Sequence, residues 1–166
     1  MDLSGGTFTY SGDPSDIAYV LEDEALHITG TVNDYAGLGM WFGPCVDASA
    51  YAGVTFTIGG TVGEMGEAVL QVQQSDNKAF EDTNGSIRGD CDSDVNTCAY
   101  NEAVYSVPET AGEVSVCFAD MTGGSPNASV DNSMLYALQF QFHCETDGMC
   151  ALDVTLDDVM FTDSCP

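Results

Sequence analysis

The chain has 166 residues, 44% of them hydrophobic, and carries 27 Asp and Glu against 2 Lys and Arg, a formal net charge of −25 at pH 7. That length and apolar content suit a single domain over residues 1–166 with a real core, and exclude a disordered acidic tail. The charge repels phosphate backbones and anionic lipid and no stretch is long and apolar enough to span a bilayer, so nucleic-acid and membrane roles are set aside and cations are the favoured company.

Residues 1–6 lack the charged and apolar regions of a signal peptide, so the chain is read as a mature form whose export signal is gone. Residues 7–10 predict a first strand with Phe8 and Tyr10 inward, closed by Ser11-Gly12-Asp13-Pro14. Strands at 19–21 and 25–32 follow, the second burying Leu26 and Ile28, with Glu22-Asp23-Glu24 as a solvated turn between them. Next, Leu38, Met40 and Phe42 share one parity while Gly37, Gly39, Trp41 and Gly43 share the other, the period of two expected of a half-buried strand. After Gly43-Pro44, which cannot continue a ladder cleanly, residues 54–58 form another strand with Val54, Phe56 and Ile58 on one side.

Residues 68–74 place Leu70 and Val72 inward and Gln71 and Gln73 outward, and residues 75–101 read as a long loop rich in Asp, Asn and Gly. Strands at 104–107 and 114–118 precede a second long loop, 119–133. The clearest alternation spans 134–144: Met134, Tyr136, Leu138, Phe140 and Phe142 face the core, with Leu135, Ala137, Gln139, Gln141 and His143 opposite. In the last strand Leu152, Val154 and Leu156 are even but Val159 and Phe161 are odd, so a β-bulge is expected at Asp157-Asp158. No stretch makes a convincing amphipathic helix. Strands at regular spacing predict an all-β antiparallel sandwich with disulfide-stapled loops.

Seven cysteines in a chain almost without lysine point to an oxidising, extracellular setting. Spacing proposes two local bridges, Cys91 to Cys98 and Cys144 to Cys150; Cys45, Cys117 and Cys165 share one possible third bridge, and the odd count leaves at least one thiol over. With two histidines and no CxxC pair, a zinc site is a poor competitor. Asn84-Gly85-Ser86 and Asn127-Ala128-Ser129 match the glycosylation sequon.

The run Asp47-x-Ser49-x-Tyr51-x-Gly53-Val54-x-Phe56-x-Ile58-x-Gly60 resembles the central strand of the carbohydrate-binding-module-like jelly rolls of the galactose-binding-like superfamily. Residues 150–161, with Asp157-Asp158 before a hydrophobic ending, resemble that family's last strand, and residues 70–73 and 138–142 sit where two groove strands would lie. The resemblance implies a jelly roll, and a structural Ca²⁺ held by an acidic residue of the last strand together with N-terminal oxygens. That nominates Asp158, then Asp157, with Asp2 or the cluster containing Glu22 and Glu24 as the N-terminal partner. A bulge, which re-aims side chains and frees carbonyls, suits a cation that wants several oxygens at once.

Independently of that likeness, Gln71, Gln73, Gln139, Gln141 and His143 share an outward face of paired donors and acceptors suited to sugar hydroxyls. Trp41, Tyr35 or Tyr100 could border it with a ring on which a pyranose stacks. Alternate aspartates in Asp90-Cys91-Asp92-Ser93-Asp94 resemble half an EF-hand loop, but Val95 stands at the turn glycine and Asn101 at the closing Glu, so the EF-hand is rejected. Arg88-Gly89-Asp90 reads as a chance tripeptide. There is no GxSxG or HExxH motif, and a non-catalytic module is the better reading. The leading expectation is therefore a secreted, Ca²⁺-stabilised jelly roll that binds a glycan. The alternative is a structural subunit of an extracellular filament, tube or surface layer that self-assembles through the same fold, with strand 7–10 donated to a neighbour.

Overall fold

The computed structural model describes residues 4–63, 66–80, 89–144 and 148–165. Within them the strands are β1 (Gly5–Ser11), β2 (Asp16–Glu22), β3 (Ala25–Val32), β4 (Tyr35–Val46), β5 (Gly53–Val62), β6 (Glu67–Gln74), β7 (Asn101–Ser106), β8 (Gly112–Cys117), β9 (Leu135–His143) and β10 (Cys150–Thr162). They form two five-stranded antiparallel sheets, ordered β1-β4-β9-β6-β7 and β2-β3-β10-β5-β8, stacked face to face. The expected disulfide-stapled β-sandwich is the architecture observed.

Alternation decides which residues meet between the layers. Leu38 on β4, Leu70 on β6 and Phe140 on β9 are fully buried from one sheet; Ile28, Val54, Phe56, Ile58 and Leu156 are buried from the other. Each such side chain contributes about 1.5–3 kcal/mol by leaving water. Phe56 stitches the layers, meeting Phe140 edge-on at 5.1 Å and Tyr105 edge-on at 5.1 Å, the arrangement that sets a positive ring edge against a negative face.

The terminal strand does slip by one position. Its register with β5 shifts between Asp157 and Met160, and Asp158 adopts φ 49°. The slip has a packing reason: it turns Phe161 inward, where its ring lies 5.6 Å from Tyr51, 6.1 Å from Phe42 and 6.5 Å from Phe118. Asp157 closes the bulge itself by accepting the Asp158 amide at 2.7 Å.

Two sequence expectations are corrected by register. Leu135, not Met134, belongs to the core, because β9 shifts against both neighbours near its start, between Trp41 and Val46 on β4 and between Gln73 and Gln74 on β6. Met134 is left exposed and Leu135 is fully buried. Phe8 and Tyr10 do not point into the sandwich; β1 pairs along its length with β4, and both rings cover the outer face of that sheet.

Bridges join Cys91 to Cys98, Cys144 to Cys150 and Cys117 to Cys165, which resolves the third pairing and leaves Cys45 as the free thiol. The Cys117–Cys165 bridge spans 48 positions and pins the chain end to β8. The long loop at 119–133 is held by side-chain amides: fully buried Gln74 donates to the Ser129 carbonyl and accepts the Asp131 amide, while Asn77 and Asn101 bind each other and the carbonyls of Asn127 and Ala128.

One buried polar atom lacks such support: the Tyr105 hydroxyl has no hydrogen-bond partner among the described residues. An unsatisfied buried hydroxyl is a net cost, so Tyr105→Phe is expected to raise stability by about 1 kcal/mol in urea unfolding. A loss of stability in that variant would show that the hydroxyl is satisfied.

Candidate ligand-binding groove

The outer face of the β1-β4-β9-β6-β7 sheet is built row by row from the register. One row runs Tyr10, Gly37, Gln141, Val69; the next runs Phe8, Gly39, Gln139, Gln71, Glu102; a third runs Gly6, Trp41, Ala137, Gln73. The glycines of β4 are what let aromatic rings lie flat here. A Cβ on Gly39 would fall 2.2 Å from Phe8 Cζ, and one on Gly37 would fall 2.5 Å from both Tyr10 Cζ and its hydroxyl oxygen. Seated on bare backbone, the rings form a chain, Phe8 to Tyr10 at 6.1 Å and Tyr10 to Tyr35 at 6.4 Å between centroids.

A groove of about 450 Å³ opens beside that chain of rings. Tyr10 and Tyr35 flank one side, Tyr100 and Cys98 belong to the segment on the other, and Gln71, Gln139 and Gln141 line the floor. The floor is wired. Tyr10 donates its hydroxyl to Gln141 Oε1 at 3.3 Å, Gln141 Nε2 lies 2.8 Å from His143 Nε2, and Gln71 Nε2 donates to Glu102 Oε2 at 3.1 Å. These contacts fix which way the Gln71 and Gln141 amides present their oxygen and nitrogen. Uncharged donors and acceptors beside the exposed Tyr35 ring and the half-buried Tyr10 ring can hold a hydroxylated, partly apolar ligand.

The expected binding residues fall as follows. Gln71, Gln139 and Gln141 line the groove, with His143 behind Gln141. Gln73 shares the face and, like Gln139, has 7% of its surface exposed, but it lies one row over and is not part of the groove lining. Trp41 is 38% exposed on the same face, one row beyond the groove. Tyr10 and Glu102 were not among the residues anticipated, although β1's alternating aromatics opposite β4's alternating glycines were a usable signal.

For the expected cation, Asp158 is exposed and Asp157 partly so, at the bulge. Glu22 and Glu24 are exposed at the β2–β3 turn, where Glu22 lies 3.7 Å from His27 Nδ1. Asp2 lies outside the described residues. Among the described residues no three His, Cys, Asp or Glu side chains are placed to hold a metal ion. The acidic loop is likewise engaged internally, Asp90 accepting from the Ser75 hydroxyl and Asp92 from the Asp94 amide. Arg88 and the sequon at Asn84 lie outside the described residues.

No family model matches the sequence, and no curated protein matches it. Solved structures do. The chain is similar to the family 11 carbohydrate-binding module of a cellulosomal cellulase of Clostridium thermocellum, with a TM-score of 0.66 and 12% identity over 99% of this chain and 90% of that one. It is similar to a family 11 module from the same organism in complex with a β-1,3-1,4-mixed-linked tetrasaccharide, at TM-score 0.63 and 14% identity, covering 98% and 90%. It is also similar to a part of an agarase, at TM-score 0.60 and 10% identity, covering 96% of this chain and 24% of that one. The fold is thus the jelly roll of carbohydrate-binding modules.

Tyr10 supplies a pH test of the groove's packing. Burial pushes its phenol above the ordinary value of 10.0, and neighbouring Tyr100 and Tyr35 add to the rise. A folded-state value above the unfolded one gives stability that is complete below pH 10 and fades as pH rises toward the folded value. Unfolding free energy is therefore expected to fall above about pH 10, and less steeply in Tyr10→Phe. Equal slopes in the two proteins would mean that the ring is not covered as described.

Proposed function

We propose that the protein is a non-catalytic, extracellular module that binds a neutral glycan in the groove over Gln71, Gln139 and Gln141. The observation that carries this reading is the pairing of glycine-seated tyrosine rings with an amide floor on a single outward face. A pyranose has an apolar CH face for the rings and a rim of hydroxyls for the amides. Shape agrees, since the fold is that of modules of which one is seen with a β-1,3-1,4-mixed-linked tetrasaccharide. The net charge of −25 narrows the class: uronate or sulfated polymers are repelled, and neutral ones are not. An oxidising location fits three disulfides, and among the described residues no helix is long and apolar enough to cross a membrane.

The test is affinity electrophoresis and calorimetry with neutral β-glucans. Tyr35→Ala and Gln139→Ala are each expected to weaken binding about tenfold, equivalent to ~1.4 kcal/mol. Trp41→Ala should weaken binding of a long polymer while sparing a short oligosaccharide, because it stands one row beyond the groove. Retention of full affinity by both groove variants, or no binding to any neutral polysaccharide, would sink the proposal.

Calcium stabilisation is a separate part of this proposal. It is supported by the surplus of carboxylates and by the bulge that turns Asp158 outward. The described acids do not by themselves assemble a cage, so the remaining oxygens would come from backbone carbonyls or Asp2. CaCl2 is expected to raise Tm further than NaCl at matched ionic strength, with the excess lost in Asp158→Asn. Identical effects of the two salts would reduce calcium to general screening. Self-assembly has weaker support, since β1, the strand that would be donated, is paired with β4 of its own chain from Gly5 to Ser11.

A further inference from the structure

Among the described residues that line the groove, Glu102 is the single carboxylate, and none is Lys or Arg. It is held from several directions. Its backbone exchanges both hydrogen bonds with Thr122, at 2.8 and 2.9 Å, and its Oε2 accepts from Gln71 at 3.1 Å. A Cβ added to the adjoining Gly123 would touch Glu102 Cγ at 3.6 Å, so that wall packs closely against the side chain. No cation among the described residues pairs with Glu102. A carboxylate fixed in this way at the end of the Phe8, Gly39, Gln139, Gln71 row is a strong acceptor beside a floor of neutral amides.

We propose that Glu102 is the specificity-determining residue of the groove, accepting hydroxyl hydrogens from a sugar held against the tyrosine rings and rejecting sugars that carry a carboxylate or sulfate. The inference rests on the glycan-binding reading and adds to it a residue and a selectivity. The protein's charge of −25 disfavours anionic polymers at long range, but that field is screened within about 8 Å at physiological salt. Selectivity that persists at high salt must come from a charge in contact with the ligand. Two carboxylates brought together in the groove would each lose hydration with no cation between them. A neutral hydroxyl there donates a charge-assisted hydrogen bond instead.

The experiment compares hydroxyethyl cellulose with carboxymethyl cellulose, polymers of one backbone that differ in charge, at low and high NaCl. The proteins are the wild type, Glu102→Gln, and Glu113→Gln on β8 of the opposite sheet, which removes the same charge away from the groove. The wild type is expected to prefer the neutral polymer at both salt concentrations. Glu102→Gln should lose roughly tenfold in affinity for the neutral polymer and most of its discrimination, while Glu113→Gln keeps both. If the wild type binds and both variants behave alike, Glu102 is not the filter and the glycan reading stands. If the wild type binds neither polymer nor any neutral β-glucan, both fall.

Discussion

Leu38 and Phe140 face each other across β4 and β9, and the residues beside them, Gly37 with Gln141 and Gly39 with Gln139, face the opposite way. This one register places the core on one side of the sheet and the groove on the other. Because side chains alternate, a slip of one residue would carry Leu38 and Phe140 to solvent and push the glutamines between the layers. Neither change is tolerable. The apolar burial that stabilises the sandwich therefore also holds the groove floor in place, and the pairing with β6 extends the constraint to Gln71.

The same strand shows why the groove has walls. A β4 with side chains on both faces would leave nowhere for β1's rings to lie; with glycine at 37 and 39, Phe8 and Tyr10 rest on backbone. Glycine inside a strand is a local cost in entropy and lost packing, and the rings recover apolar contact over the gap. The entropy and packing given up at two glycines of β4 are exchanged for an aromatic surface on the outer face.

Strand positions, the core face of β5, β6 and β10, the bulge and the amide-bearing face were legible because each is a matter of parity within one segment. What was not legible depends on two segments at once. Phe8 and Tyr10 alternate just as core residues do; only their pairing with Gly37 and Gly39 shows that they cover the other face. Leu135 replaces Met134 because β9 changes register against two neighbours, which no single strand reveals. Glu102 belongs to the groove through its place opposite Gln71, and Cys117 finds Cys165 because β8 lies beside the chain end in space. The bulge was read correctly as a kink and associated with a cation; its demonstrable work is to bring Phe161 against Tyr51, Phe42 and Phe118.

Surface charge and groove chemistry point in one direction. So many like charges weaken the compact state through self-repulsion, and the contacts that offset it are largely uncharged: the layered core, three disulfides and buried amide networks such as Gln74 with Ser129 and Asp131. The groove uses the same vocabulary, phenols and carboxamides, with one carboxylate among its described lining residues. The ligand we propose for such a site brings hydroxyls rather than negative charge, and an apolar face rather than an aliphatic chain. That combination belongs to a neutral sugar polymer more than to a peptide, a lipid or a nucleotide.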